Sequence, residues 1–291
     1  MKQMKGIAAQ SSVWWKVCQF VMLTVVCTLL ALGVWAAVWH GSQSVFSLKM
    51  MQMLQTTGTF MLPCFAGAYL WSEKPMEWLH IDRGADWRAV GVVVVLMLCA
   101  VPGVNLLAWL NGKMELPAFL SGLEELMKAQ EEAAGELTER FIRADSIGEL
   151  LLNVCLMALL PAFSEELCFR GTLFTLFSGK GNRHVALWAV AILFSAIHFQ
   201  FYGFVPRMLL GALFGYMLLW SGSLWLPVLA HFVNNCTAVV LYNLYYMRGR
   251  NTDEIDMFGT EDTWWAGILS LLLTAVLIAV LHRVLHSSRR A

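Results

Sequence analysis

Residues 149–177 read ELLLNVCLMALLPAFSEELCFRGTLFTLF, an apolar stretch with Glu165, Glu166 and Arg170 deep inside it. A bilayer core of about 30 Å needs about 20 helical residues, so the stretch is long enough to cross a membrane. An ionisable side chain at the centre of such a span costs at least ~2.5–3.5 kcal/mol. The stretch therefore predicts a membrane helix whose charged residues have partners or a function.

The remainder of the chain is similarly apolar. Of its 291 residues, 58% are hydrophobic and 14% are charged, whereas a soluble domain has about 25% charged residues. Stretches able to cross a bilayer recur about eight times, and we place them at 17–39, 52–71, 88–110, 149–177, 184–202, 207–221, 224–246 and 264–286. The sequence predicts an all-α, polytopic membrane protein with about eight transmembrane helices.

The orientation of the bundle follows from its lysine and arginine residues. If the N-terminus is inside, most of these residues fall in inner segments, and most acidic residues fall in outer ones. Cytoplasmic segments carry the excess of lysine and arginine in membrane proteins. Both termini are therefore predicted to be cytoplasmic.

The connection at 115–143 has apolar residues at helical spacing with glutamates between them. This pattern predicts an amphipathic helix on the outer surface. A solvated connecting helix is one interpretation. The other is a lid or substrate gate over the fourth span.

Two further spans carry polar groups at depth. The fifth contains Phe194-Ser-Ala-Ile-His198, and the seventh contains His231-Phe-Val-Asn-Asn235. A single intramembrane His or Asn usually forms an interhelical hydrogen bond. Polar groups on three spans, including pairs four residues apart, favour a shared site instead.

Helical geometry gives these groups provisional roles. Glu166 and Arg170 share a helix face and are predicted to form a structural ion pair. Glu165 is rotated by about 100° from that face, so it is available as a proton acceptor that could hold a water together with His198. His231 and Asn235 also share a face, and two donors aimed at one oxygen form an oxyanion hole.

Taken together, Glu165-Glu166-x-x-x-Arg170, Phe194-x-x-x-His198 and His231-x-x-x-Asn235 resemble the three motifs of the CPBP family. This family includes the type II CAAX prenyl endopeptidases and the bacterial Abi-like proteins of bacteriocin processing or self-immunity. The resemblance covers roughly residues 148–246, and the predicted helix count is similar to that of the family. It divides the chain into N-terminal helices with the outer helix (1–147), a catalytic core (148–246), and an outer loop with the last helix (247–291).

The resemblance implies an intramembrane endopeptidase with a catalytic cavity inside the bundle. Glu165 and His198 would activate water, and His231 and Asn235 would stabilise the oxyanion. Family members are also described as metalloproteases, in which case Glu165, His198 and His231 would bind zinc. The chain lacks His-Glu-x-x-His, so no cofactor is expected, with zinc as the alternative.

The expected partners are membrane lipid and a protein or peptide substrate, including membrane-anchored ones, and no nucleic acid. The expected location is a bacterial inner (cell) membrane. Two other functions stay open at this point. One is a non-catalytic membrane scaffold or bacteriocin-immunity protein. The other is a proton-coupled transporter, which the lack of repeated halves disfavours.

Overall fold

A computed structural model describes residues 4–179 and 181–288 of the chain. This part is helical and contains no strand, so the predicted all-α fold is confirmed. The first helices are α1 (Val13–Trp39), α2 (45–71), α3 (Pro75–Trp78), α4 (Trp87–Gly112), α5 (Ser121–Ile142) and α6 (Ile147–Ser178). They are followed by α7 (Arg183–Ala196), α8 (Phe204–Ser221), α9 (Trp225–Met247), α10 (Asp253–Met257) and α11 (Trp264–Ser288).

The count of eight spans is not confirmed. Within the described ranges six helices are long and apolar enough to cross a membrane, namely Val13–Trp39, Trp87–Gly112, Ile147–Ser178, Phe201–Ser221, Trp225–Met247 and Glu261–Ser287. The predicted span at 52–71 lies in α2, which is not among these six helices. The predicted span at 184–202 is wrong at its C-terminal end, because α7 stops at Ala196 and is only 14 residues long.

Helix α6 is continuous but contains two π-helical segments. π-helical segments at Val154–Leu159 and Leu167–Leu173 flank the α-helical segment Leu160–Glu166. Pro161 has no N–H to donate to the carbonyl of Met157 four residues earlier. π-helical turns are rare and often occur at functional sites. Glu165 and Glu166 thus lie just before such a turn.

Helices α4 and α11 pack closely through a serine. The hydroxyl of Ser270 on α11 donates to the Cys99 carbonyl and accepts the N–H of Gly103, at 2.5 and 2.9 Å. A Cβ atom at Gly103 would lie 2.8 Å from Leu271 Cδ2, so glycine is needed for this approach. The contact holds α4 in place, and Val104 of α4 lines the cavity described below.

The amphipathic connection forms α5, which begins later than the sequence pattern suggested. A short 3-10 turn at Ala118–Leu120 precedes Ser121–Ile142. The Glu124 carboxylate accepts the N–H of Leu116, and the Glu131 carboxylate accepts the N–H of Tyr202, at 3.1 and 3.3 Å. The second contact places α5 next to the loop between α7 and α8.

Candidate active site

A cavity of about 270 Å³ lies among α4, α6, α8, α9 and the loop after α7. Its lining includes all four residues predicted to be catalytic, which are Glu165, His198, His231 and Asn235. Neither histidine faces away from the bundle into the surrounding lipid. The other residues of the wall are Val104, Phe194, Gly203, Pro206, Arg207, Leu210, Phe214 and Asn234.

Behind this cavity Glu166 and Arg170 form an ion pair that is closed off from solvent. Their side chains are 0% and 1% exposed, and Arg170 Nη1 donates to Glu166 Oε1 at 2.7 Å. Arg170 Nη2 donates to the Gly211 carbonyl of α8, also at 2.7 Å. A Cβ atom at position 211 would lie 3.2 Å from that nitrogen, so glycine lets α8 approach the guanidinium.

Two phenylalanines stand between this pair and the cavity. The Arg170 guanidinium carbon lies 4.6 Å from the ring centre of Phe194 and 5.6 Å from that of Phe214. A cation over an aromatic face is stabilised when both are removed from water. The phenylalanine rings also contact His231, whose ring stacks on that of Phe214 with 5.5 Å between the ring centres. The rings thus help to hold both the ion pair and a site histidine.

His231 lies between the two adjacent carboxylates. Its Nδ1 is 2.9 Å from Glu166 Oε1, and its Nε2 is 3.9 Å from Glu165 Oε2. Because Glu166 is paired with Arg170 and accepts hydrogen bonds as a carboxylate, the Nδ1 of His231 is the donor. The Nε2 atom therefore faces Glu165, and it donates a hydrogen bond only when the ring is protonated.

His198 lies in a turn just beyond the end of α7, and so not on a helix as the motif suggested. Its Nδ1 is 2.7 Å from the Phe194 carbonyl, which can only accept, so Nδ1 carries the proton. In the neutral ring Nε2 then remains as an acceptor. The next residue, Phe199, has a φ of +53°, a strained backbone for a bulky side chain.

Asn235 contacts the first π-helical segment of α6. Its Nδ2 donates to the Met157 carbonyl at 3.5 Å, the carbonyl that Pro161 leaves without its usual helical donor. The Nδ2 of Asn234 donates to Asn235 Oδ1 at 3.2 Å. The Asn235 amide is thus orientated from both ends. Asn234 also lines the cavity, and the i,i+4 spacing from His231 does not identify it, because Asn234 is only three residues away.

Arg207 is the second polar wall residue, after Asn234, that the sequence pattern does not identify. It is half-buried, and its guanidinium donates to the Gln200 side chain at 2.7 Å and to the Gln200 carbonyl at 3.4 Å. In the sequence it stood at the first position of the predicted sixth span, where a basic residue is ordinary. Only the fold of the 197–203 loop brings it into the same cavity as Glu165.

The zinc alternative requires Glu165, His198 and His231 as ligands. Across residues 4–179 and 181–288, no three His, Cys, Asp or Glu side chains are positioned to hold one metal ion. The Nδ1 of His231 is also engaged by Glu166. The residues as placed do not fit a preformed three-ligand zinc site. Metal dependence remains a prediction that only experiment tests.

Comparison with known proteins finds a match to the part of the chain that contains the candidate site. Residues 147–237 match the family model described as Type II CAAX prenyl endopeptidase Rce1-like. A Bacillus subtilis (strain 168) protein described as "Uncharacterized protein YpbD" is 30% identical over 106 residues, which are 35% of this chain and 52% of that protein. The chain thus matches about half the length of this curated relative. No solved structure matches the chain.

The fold and the cavity define an all-α membrane protein with polar groups converging inside its helical bundle. Its residues 147–237 match the Rce1-like domain model, which agrees with the predicted resemblance to the CPBP family over this part of the chain. This domain contains every one of the motif residues.

Proposed function

We propose that the protein is an intramembrane endopeptidase that hydrolyses peptide bonds with a water activated by Glu165 and His198. The observation that carries this proposal is that Glu165, His198, His231 and Asn235 line one cavity. They come from α6, α9 and the loop after α7, so their convergence is a property of the tertiary fold. The Rce1-like match of residues 147–237 supports the same reaction class.

In the proposed reaction, Glu165 takes a proton from a water that also donates to His198 Nε2. The water oxygen then attacks the carbonyl carbon of the scissile bond, and the carbonyl electron pair moves to its oxygen. The proton held by Glu165 is delivered to the amide nitrogen, the electron pair of the oxyanion re-forms the C=O bond, and the C–N bond breaks with its electron pair moving to nitrogen. The resulting carboxylic acid passes its proton, the second proton of the water, to the amine, so a carboxylate and an ammonium group leave. General acid–base catalysis of this kind contributes about 10²–10⁴-fold in rate.

The developing oxyanion receives its hydrogen bonds from α9. Asn235 offers an N–H of its side-chain amide, and His231 offers Nε2–H in its protonated form. Glu166 orients the imidazole through Nδ1 at 2.9 Å. Arg170 in turn holds Glu166, so this ion pair is a positioning element that does not touch the reacting atoms.

The proposed enzyme works without a bound metal. Its proposed partners are membrane lipid and a protein or peptide substrate, including membrane-anchored ones, and not nucleic acid. We place it in a bacterial inner membrane with both termini in the cytoplasm. Prenylation of the substrate is not part of the proposal, because none of the contacts in the cavity identifies a prenyl group.

The deciding experiment is a peptide-library cleavage assay on the full chain purified in detergent. We expect cleavage by the wild type and none by Glu165→Ala. Glu125→Ala is the matched control, because Glu125 is exposed on α5 and does not line the cavity. A folded wild type that cleaves no peptide, or equal cleavage by Glu165→Ala, would contradict the proposal. The first outcome would favour the non-catalytic scaffold or immunity protein.

A further inference from the structure

Arg207 lies in the cavity wall with part of its hydrogen-bonding capacity unused. A guanidinium has five N–H donors, and two contacts from Arg207 go to Gln200, at 2.7 Å to the side chain and 3.4 Å to the carbonyl. Gln200 is neutral, so it satisfies donors without neutralising the charge. The remaining donors are available to a ligand in the cavity.

The acidic residues that interact electrostatically with Arg207 are Glu131 of α5 and Glu165 of α6. Among the described residues, neither places a carboxylate oxygen within 4.0 Å of the guanidinium. Glu131 instead accepts the N–H of Tyr202 at 3.3 Å. A half-buried cation that lacks a direct anionic partner has a site for an external anion.

The position of this cation is built into the backbone. A Cβ atom at Gly203 would lie 2.9 Å from Arg207 Nη2, so the guanidinium rests across a glycine. The surrounding segment is fixed by the buried Asn111 of α4. Asn111 Oδ1 accepts the N–H of Val205 at 2.7 Å, and its Nδ2 donates to the Phe201 carbonyl at 3.1 Å.

We infer that Arg207 binds a carboxylate of the peptide substrate and thereby selects where the chain is cut. The planar guanidinium matches a carboxylate with two parallel hydrogen bonds. Because Arg207 and Glu165 line the same cavity, the bound carboxylate belongs to a residue close to the scissile bond. It is supplied either by the C-terminus of the substrate or by an acidic side chain. This inference rests on the proposed peptidase activity.

The test uses three fluorescence-quenched octapeptide pools. Two have the same randomised composition without Asp or Glu and differ only at the C-terminus, which is a free carboxylate in one and a carboxamide in the other. The third ends in a carboxamide and contains Asp at randomised positions. We expect the wild type to cleave a carboxylate-containing pool at least about tenfold faster than the plain carboxamide pool, as a charge-assisted hydrogen bond implies. The preferred pool identifies the source of the carboxylate.

Variants at positions 207 and 203 then test whether Arg207 causes the preference for a carboxylate-containing pool. Arg207→Gln is expected to slow cleavage of the preferred carboxylate-containing pool more than cleavage of the plain carboxamide pool, so that the preference disappears, and Arg207→Lys is expected to retain part of it. Gly203→Ala displaces the guanidinium and provides a second variant should Arg207→Gln fold poorly. A wild type without a preference, a preference kept by both variants, or equal loss on all pools would overturn the inference. If the wild type cleaves no pool, or Glu165→Ala still cleaves, the proposed activity itself fails.

Discussion

Two arginines near the same cavity have opposite surroundings, since Arg207 lies in its wall and Arg170 lies behind the two phenylalanines that line it. Arg170 is 1% exposed, paired with Glu166, bonded to a carbonyl of α8 and covered by aromatic rings. Arg207 is half-buried, bonded to a neutral residue and open to the cavity. A charge in an apolar bundle is costly in either place. The contacts of Arg170 give it a structural role, whereas those of Arg207 leave it able to bind a ligand.

The adjacent glutamates on α6 show the same division. Glu166 is 0% exposed and contacts both Arg170 and His231. Glu165 is 15% exposed, and its nearest basic group is His231 Nε2 at 3.9 Å. One residue of helical rotation thus separates a carboxylate that positions others from one that can take a proton. Substitutions of Glu165 and Glu166 test whether the two carboxylates have different roles.

The largest effect is expected for Glu165→Gln. The amide keeps the shape of the side chain but cannot accept the proton, so turnover should fall by about 10²–10⁴-fold. Cleavage rates of the substrate pools measure the loss, and size-exclusion chromatography with thermal unfolding checks the fold. Glu125→Gln on the exposed face of α5 is the control. An active Glu165→Gln enzyme would remove this residue from the mechanism.

Glu166→Gln should instead lower the free energy of unfolding of the protein. The substitution leaves the Arg170 charge buried without its anion, and breaking a buried pair typically costs about 3–5 kcal/mol. The free energy of unfolding, measured by titration with SDS in mixed micelles, should fall by this amount. Glu165→Gln is the comparison variant, and its free energy of unfolding is expected to change little. Equal stability of the two variants would show that the carboxylates do not divide their roles.

A smaller loss of rate is expected for Asn235→Ala. Removal of one oxyanion-hole donor typically costs about 10²–10³-fold in kcat, with little change in KM if the contact forms only in the transition state. Steady-state kinetics separate the two constants. Asn234→Ala is the neighbouring comparison and should cost less, because its amide is directed towards Asn235 Oδ1. A loss spread mainly onto KM would indicate a substrate-binding role for Asn235.

No effect is expected from exhaustive chelation. If Glu165 and His198 activate water unaided, the wild type keeps its activity after treatment with EDTA and 1,10-phenanthroline. Metal analysis of the treated protein provides the accompanying measurement. Loss of activity that zinc restores, with stoichiometric bound metal, would reassign Glu165, His198 and His231 as ligands.

Much of this arrangement could be predicted because it depends on local spacing. The i,i+4 relation brought Glu166 to Arg170, and the apolar runs predicted helices over most of the chain. The end of α7 could not be predicted, because Ile197 to Phe201 are mostly apolar and continue the hydrophobic pattern although the backbone turns there. Arg207 and Gln200 meet only through that turn. Contacts set by a loop leave no periodic signal in the sequence.

The hydrogen bond from Arg170 to Gly211 also bears on how the protein is made. Its two ends are 41 residues apart, and at synthesis rates of about 5–20 residues per second the acceptor follows the donor by roughly 2–8 s. During that delay α6 contains a guanidinium whose second acceptor has not yet been translated. Release of α6 alone into lipid would carry the cost of that incomplete contact. We therefore expect α6 to stay beside protein at the insertion machinery until α8 arrives.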